Sequence, residues 1–215
     1  MRKWVLANQK GGVGKTTLGL NLAVCAEDAG LLTSVIDLDP QESAAAWYKR
    51  RGKKQPIVVG ALPDKVEDTI KAAERMNVSL CIIDTPPKLD NVTLAAMRLA
   101  DLIIVPVRAC LLDLHATRAT VELLKAAGKL DHAIGVMNAV PTGKGSAAYI
   151  AEGTATVEEL GLAMSKAVLH YSPKIEKAND EGLAITELRP KDTKAVNEMQ
   201  ALWAALDGHG KRKSS

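Results

Sequence analysis

No phenylalanine occurs in the 215 residues, and three tryptophans and three tyrosines make up all the aromatic side chains. The core must therefore be built from Ala, Val, Leu and Ile, and a stacking platform for single-stranded nucleic acid is not what this composition provides. Cysteine is scarce as well. Cys25, Cys81 and Cys110 are odd in number and each lies in an apolar stretch, so they read as reduced core residues of a cytoplasmic protein rather than a disulfide framework or a metal set. No apolar run approaches the roughly 20 residues that span a bilayer, and the opening Met1–Asn8 is too short in its apolar part for a signal peptide. Nor is there a uniform excess of one charge. Lys and Arg number 28 against 25 Asp and Glu, a formal net charge of +3. Lys211, Arg212 and Lys213 carry three of those positive charges, and 28 less these three equals the 25 acids. A uniformly basic DNA coat is ruled out, whereas a local basic patch is not.

What is present is an alternation of short β-branched or apolar runs with longer helical patterns. Strands are predicted near 3–8, 33–38, 57–60, 79–84, 102–107, 133–138 and 165–169. Helices are predicted near 15–29, 42–50, 64–76, 91–100, 115–128, 147–160, 173–180 and 192–206. Such alternation means βαβ units. Runs such as Leu80-Cys81-Ile82-Ile83 and Leu102-Ile103-Ile104-Val105 are apolar without alternation, as burial on both faces demands. The expected fold is α/β: one domain over 1–207 with a mainly parallel, twisted sheet of seven to eight strands and helices on both faces, followed by a basic flexible tail over 208–215.

The segment Asn8-Gln9-Lys10-Gly11-Gly12-Val13-Gly14-Lys15-Thr16-Thr17 follows the first predicted strand and opens the first predicted helix. That context makes a glycine-rich stretch a phosphate site. Gly11, Gly12 and Gly14 let backbone N–H groups approach phosphate oxygens with no Cβ in the way, and the helix N-terminus adds free donors and a favourable dipole. Lys15 is placed to bridge β- and γ-phosphates, the Thr16 hydroxyl to hold Mg²⁺, and Thr17 to reach the α-phosphate. Two acidic strand ends follow in order. Val35-Ile36-Asp37-Leu38-Asp39-Pro40 offers two carboxylates one residue apart, and Leu80-Cys81-Ile82-Ile83-Asp84-Thr85-Pro86-Pro87 delivers one carboxylate from a buried strand to the edge of a Mg²⁺ site.

A strict P-loop has glycine where Gln9 stands. The extra lysine, Lys10, before Gly11-Gly12 makes the segment resemble, residue for residue, the deviant Walker A loop of the ParA/MinD ATPases. The match extends from residue 4 to about 206, in the compact size of the small ParA-type partition ATPases and without a winged-helix extension before the loop. The resemblance implies a P-loop NTPase fold, ATP and Mg²⁺ as ligands, and slow, partner-stimulated ATP hydrolysis. It implies that Lys10 crosses a dimer interface to the partner's phosphates, that Asp39 orients the attacking water, that Asp37 lies near the Mg²⁺ hydration shell, and that Asp84 is the Walker B acid. Val13 falls within the nucleotide loop, and Asn138 matches the asparagine that hydrogen-bonds adenine. The stretch from Pro106 to Thr117 resembles a dimer-interface segment. The family cycle implies an ATP-sandwich homodimer that binds DNA without sequence preference and is released by a ParB-like or cargo-adaptor activator. The protein is then cytoplasmic, and nucleoid-associated when ATP-bound. Basic candidates for DNA contact are Lys166, Lys174, Lys177, Arg189, Lys191 and Lys194, with Gln200 standing where relatives carry an arginine. The main alternative, a MinD-like membrane-cycling ATPase, needs an apolar C-terminal face that Asp207-Gly-His-Gly-Lys-Arg-Lys-Ser-Ser lacks. An iron–sulfur carrier and a small-molecule kinase on the same fold lack, respectively, a Cys-x-x-Cys pair and a second-substrate segment.

Overall fold

The computed structural model describes residues 1–87, 91–108 and 111–212. Among them, six strands form one sheet: β1 (Arg2–Leu6), β2 (Thr33–Asp37), β3 (Ile57–Gly60), β4 (Leu80–Asp84), β5 (Leu102–Val107) and β6 (Ala133–Met137). Their order is β3-β2-β4-β1-β5-β6, and every pairing is parallel. The helices between and after them are α1 (Lys15–Asp28), α2 (Ser43–Arg51), α3 (Val66–Arg75), α4 (Asn91–Leu99), α5 (Leu111–Ala126), α6 (Ser146–Glu159), α7 (Pro173–Asp180) and α8 (Thr193–Arg212).

The unalternating strands are explained by two cores. Successive side chains leave opposite faces of a strand. Trp4, Leu6, Leu80, Ile82, Leu102 and Ile104 enter one apolar cluster with α1, α2, α7 and α8, while Val5, Cys81, Ile83, Ile103 and Val105 enter a second with α3, α4, α5 and α6. The few aromatics are placed where they fill most volume: Trp4 and Trp47 are fully buried, and Trp203 on α8 packs on Trp4 with ring centroids 5.4 Å apart. Cys25 and Cys81 are free and buried, and burial pushes their thiols up to about 12 and about 11. Neither offers a ready thiolate. Cys110 lies outside the described residues.

Two expectations need correction. The seventh strand, expected over 165–169, is absent as a ladder. The segment runs beside β6 and its end, joined by two isolated parallel bridges, Gly135 with Met164 and Val140 with His170, and by the Leu169 N–H, which donates to the Met137 carbonyl at 2.9 Å. Between them the Ser165 hydroxyl accepts the Ala167 N–H at 3.1 Å, a local bond that competes with sheet pairing. The last helix, expected to stop near 206, continues to Arg212. It starts at Asp192, whose carboxylate accepts the Ala195 N–H at 3.2 Å, as an N-cap does. Near its end Leu206 is fully buried and Arg2 holds Asp207 at 2.6 Å. The cost of about 1 kcal/mol for each helical glycine, Gly208 and Gly210, does not stop it. Lys213–Ser215 lie outside the described residues.

Helix α2 is tied to the turn after α7 by a buried guanidinium. Arg51 donates to Glu187 at 2.7 and 3.0 Å and to the Gly182 carbonyl at 3.2 Å. Gly182 has φ +70°, and a Cβ there would stand 2.4–2.7 Å from the backbone of Arg50 and Arg51. Backbone cannot yield as a side-chain tip can. Gly182→Ala is therefore expected to destabilise the fold by about 3 kcal/mol, which for a chain of this size lowers Tm by ~6–12 °C. Thermal unfolding followed by circular dichroism measures this, and a Tm within about 2 °C of the parent would show that the α2–α7 junction gives way freely.

Candidate functional site

The chemistry-bearing residues gather at the C-terminal edge of the sheet, where open α/β sheets take their ligands. The glycine loop between β1 and α1 is anchored before any ligand arrives. The Asn8 side-chain amide donates to the Pro106 carbonyl at 2.9 Å, its Oδ1 accepts the Lys10 N–H at 2.9 Å, and the Gln9 N–H donates to Thr120 at 3.2 Å. Gly14 begins α1 at φ +89°, and a Cβ on it would meet Asn138 Nδ2 at 2.5 Å. Only glycine fits. The first turn of α1 carries no acidic residue and no side-chain cap, which leaves its N–H groups and dipole free for an anion.

Lys15 is buried, and its ammonium donates to the carbonyls of Asn8 at 3.1 Å and Lys10 at 3.3 Å. Desolvation lowers its pKa, against the pull of Asp84 and Asp39. Thr16 donates to Asp84 Oδ2 at 2.5 Å, while Asp84 Oδ1 is buried with no hydrogen-bond partner among the described residues. Burial pushes this carboxyl up to about 7. A buried carboxylate with one oxygen unmatched, bonded to a hydroxyl at a loop built for phosphates, suits a hard divalent cation.

Asp37 stands across from Asp84 in register on the neighbouring strand. Its oxygens are engaged by backbone: Oδ1 accepts from Asp39 at 3.0 Å, and Oδ2 from Ala44 at 2.9 Å and Ala45 at 3.4 Å. Asp37 thus caps α2 from the strand end and sets the loop that carries Asp39. Asp39 is half-buried, accepts the Gln41 N–H at 2.9 Å, and lines a cavity of about 290 Å³ with Gly11, Gly12, Lys15, Thr16 and Ser43. Gly12, Gly14 and Thr17 also line a second cavity, of about 200 Å³, with Arg108, Asn138, His170 and Ser172. A larger hollow of about 660 Å³ opens at the opposite edge of the sheet beside Arg2, Ser79 and His132; it has no glycine loop.

The structure thus brings together Lys10, Lys15, Thr16, Thr17, Asp37, Asp39, Asp84 and Asn138. Asn138 donates to the Val13 carbonyl at 2.7 Å, which fastens β6 to the loop. Other contributors carry no motif. Arg108 reaches the Gly12 carbonyl at 3.3 Å. Asn21, wholly buried, donates to the Thr17 carbonyl at 2.8 Å and accepts the Ile185 N–H at 2.8 Å, while Asn179 donates to the Thr17 hydroxyl at 3.0 Å. A single polar residue on each of two helices gives no spacing to read. The basic candidates divide. Lys166, Lys177, Arg189, Lys191 and Lys194 are exposed. Lys174, Lys191 and Lys194 gather where α7 and α8 begin, with Lys174 donating to the Lys191 carbonyl at 3.4 Å. Arg189 folds onto the carbonyls of 186–188, and Lys166 stands on the edge segment beside β6. In the stretch expected at a dimer interface, Ala109 and Cys110 lie outside the described residues.

Against known protein families, the CobQ/CobB/MinD/ParA nucleotide binding domain matches residues 4–200. The chain belongs to this family. It is a P-loop domain of the ParA/MinD type, a group of ATPases. A protein for maintenance of carboxysome distribution from Gloeobacter kilaueensis is 32% identical over 193 residues, covering 87% of this chain and 85% of that protein. One of the same name from Halothiobacillus neapolitanus is 26% identical over 202 residues, with 92% of each covered. Among solved structures, a chain of the MinC:MinD cell division protein complex of Aquifex aeolicus superimposes with a TM-score of 0.76 at 17% identity, covering 97% of this chain and 96% of that one. Cyanothece McdA in a complex with ATP gives 0.72 at 18% identity, with 96% of each covered. These likenesses are of fold. The ParA/MinD domain seen here has six strands in its ladder, one fewer than the lower figure expected from the sequence.

Proposed function

We propose that this ParA/MinD-family domain is an ATP-driven positioning switch: an ATP-sandwich dimer that holds non-specific DNA and lets go when a cargo-bound partner stimulates hydrolysis. The observation that carries the reading is the state of Lys10. Its N–H is fixed by Asn8 and its carbonyl by Lys15, yet its ammonium makes no hydrogen bond or ion pair among the described residues. A rigid backbone presenting a free cation is what contact with a second subunit's phosphates requires.

Within one subunit, Lys15 and the α1 N-terminus neutralise phosphate charge, and the glycines let the backbone donors reach it. Thr16 and Asp84 fit Mg²⁺, which when bound supplies further charge neutralisation at the phosphate oxygens. Asp39 accepts a hydrogen bond from the attacking water and orients it. Asp37 keeps Asp39 in place through the backbone. Asn138 stiffens the loop beside the base. Positioning and charge then do most of the chemistry, which fits slow turnover in the absence of a partner.

The exposed lysines at the start of α7 and α8 supply a cationic face that pairing two copies doubles. Past Leu206, the end of α8 carries Asp207, His209, Lys211 and Arg212 with two glycines and no apolar residue, and no helix among the described residues is long and apolar enough to cross a membrane. The cationic face supports DNA as the ATP-dependent anchor. The names of the two full-length relatives make a large cytoplasmic body the first cargo to try.

One experiment tests the whole. Light scattering after gel filtration should show a dimer with ATP and a monomer with ADP. Binding to a random-sequence duplex should follow the dimer and weaken steeply between low and moderate salt. Lys10→Ala should bind ATP within about threefold of the parent, since the residue acts in trans, yet stay monomeric and release DNA. A Lys10→Ala protein that still forms the ATP dimer would remove the trans assignment. DNA binding equal with ATP and ADP would remove the switch.

A further inference from the structure

Three side chains distant in sequence meet at one wall of the 200 Å³ cavity. His170, on the edge segment beside β6, lines that cavity together with Gly12, Gly14 and Asn138. Its Nδ1 lies 2.8 Å from Glu198 Oε1, its backbone N–H donates to Glu198 Oε2 at 2.9 Å, and its Nε2 lies 3.1 Å from Ser146 Oγ. A carboxylate accepting from Nδ1–H leaves Nε2 of the neutral ring as acceptor, so the Ser146 hydroxyl donates. The His170 and Glu198 side chains are 19% and 18% exposed, so these bonds form away from bulk water. The order serine–histidine–carboxylate also occurs in hydrolases, but Ser146 is not among the residues lining this cavity. Of the three, His170 is the residue that lines it.

The clamp sits where the sheet is least regular. Backbone bonds hold the chain on either side of residue 170, from the Leu169 N–H to the Met137 carbonyl at 2.9 Å and from the Tyr171 N–H to the Val140 carbonyl at 2.8 Å, while Ser146 and Glu198 fix the ring. Each partner comes from a different element. Ser146 opens α6 after an exposed loop, 141–145. Glu198 lies on α8, one turn beyond Lys194, whose ammonium is 3.8 Å from the same Oε1 that faces the ring. One carboxylate therefore links the cavity wall, through both the ring and the main chain of residue 170, to the cationic start of α8.

We propose that His170 is a positioning residue for the nucleotide base, clamped by Ser146 and Glu198, and that Glu198 carries the occupancy of the base cavity to Lys194 at the start of α8. The proposal rests on the nucleotide reading above and adds the residues that join the base to the DNA-facing helix. A wall that is already fixed lowers the cost of ordering it around the base. Because coupling between sites is reciprocal, DNA on α8 must tighten ATP by the factor by which ATP tightens DNA.

The test compares parent, Glu198→Gln, Ser146→Ala, His170→Asn and His170→Ala, each first shown to be folded by its thermal unfolding curve. Calorimetric titration gives the ATP Kd, phosphate release gives kcat, and duplex binding with and without ATP gives the coupling factor. Loss of the charge-assisted bond in Glu198→Gln should weaken ATP roughly tenfold, leave kcat at saturating ATP within about twofold, and reduce the coupling factor. Ser146→Ala should move ATP affinity the same way by less. The amide of His170→Asn can occupy the place of Nδ1, so it should retain more ATP affinity than His170→Ala. A folded Glu198→Gln with parental ATP affinity overturns the clamp, as does His170→Ala equal to the parent. If Glu198→Gln does not fold, Ser146→Ala and the two His170 variants decide. A parent protein that binds no ATP overturns the nucleotide reading itself. A parent whose DNA binding ignores ATP overturns the α8 link, while the ATP affinities still judge the clamp.

Discussion

Lys15→Gln is expected to lower affinity for ATP and ADP alike by at least about 100-fold, some 2.8 kcal/mol at about 1.4 kcal/mol per decade. The ammonium is buried against the glycine loop, and in the ligand-free chain it already offsets Asp84 and Asp39. Removing it costs the charge-assisted bonds to phosphate and leaves two acids facing an incoming anion. Glutamine keeps an N–H donor of similar reach for the carbonyls of Asn8 and Lys10, so the loop holds its shape and the loss reports charge. The stability effect runs the other way. A lysine whose pKa is lowered in the folded state costs stability wherever the unfolded chain would hold the proton, which includes neutral pH. The ligand-free Lys15→Gln protein should therefore melt no lower than the parent. Titration calorimetry with each nucleotide checks the first expectation and an unfolding curve the second. Nucleotide affinity within about threefold of the parent would remove Lys15 from the phosphate site.

What made the site legible before any coordinates was contiguity. The loop from Asn8 to Thr17 is one run, and Asp37 and Asp84 close strands whose apolar stretches announce burial. The parallel sheet was legible for the same reason, since its strands are unbroken apolar runs. Single long-range hydrogen bonds left no such trace. Asn21 accepts the Ile185 N–H 164 residues away, Asn179 grips Thr17 from 162 residues away, and His170 finds Glu198 28 residues on. The missing seventh strand follows from the same limit. Its composition is that of a strand, but a serine hydroxyl bonding its own backbone takes the place of ladder partners. Asp37 shows a subtler gap. The resemblance puts it near a Mg²⁺ hydration shell, and in the structure three backbone amides hold its oxygens.

That division between the two aspartates sets the second large effect. Asp39→Ala is expected to lower the ATP turnover rate by roughly 10²–10³-fold, the size found when a charge-directing group is taken from a preorganised site. ATP binding should hold or tighten, because a negative charge leaves the cavity that receives the phosphates. Since hydrolysis is the exit from the ATP dimer in the proposed cycle, the dimer should accumulate. Asp37→Ala should fail differently. Three backbone N–H groups at the start of α2 and its loop lose their acceptor in a buried place, which costs about 2–4 kcal/mol of stability, and Tm should fall by ~4–16 °C. Any loss of turnover there comes with a weakened fold, while Asp39→Ala should melt with the parent. Phosphate release at saturating ATP, light scattering and unfolding curves on the two variants separate these outcomes. An Asp39→Ala enzyme with kcat within about threefold of the parent would place the water-orienting group elsewhere on the cavity wall. Ser43, which lines the same cavity at the first residue of α2, would then be the next side chain to replace.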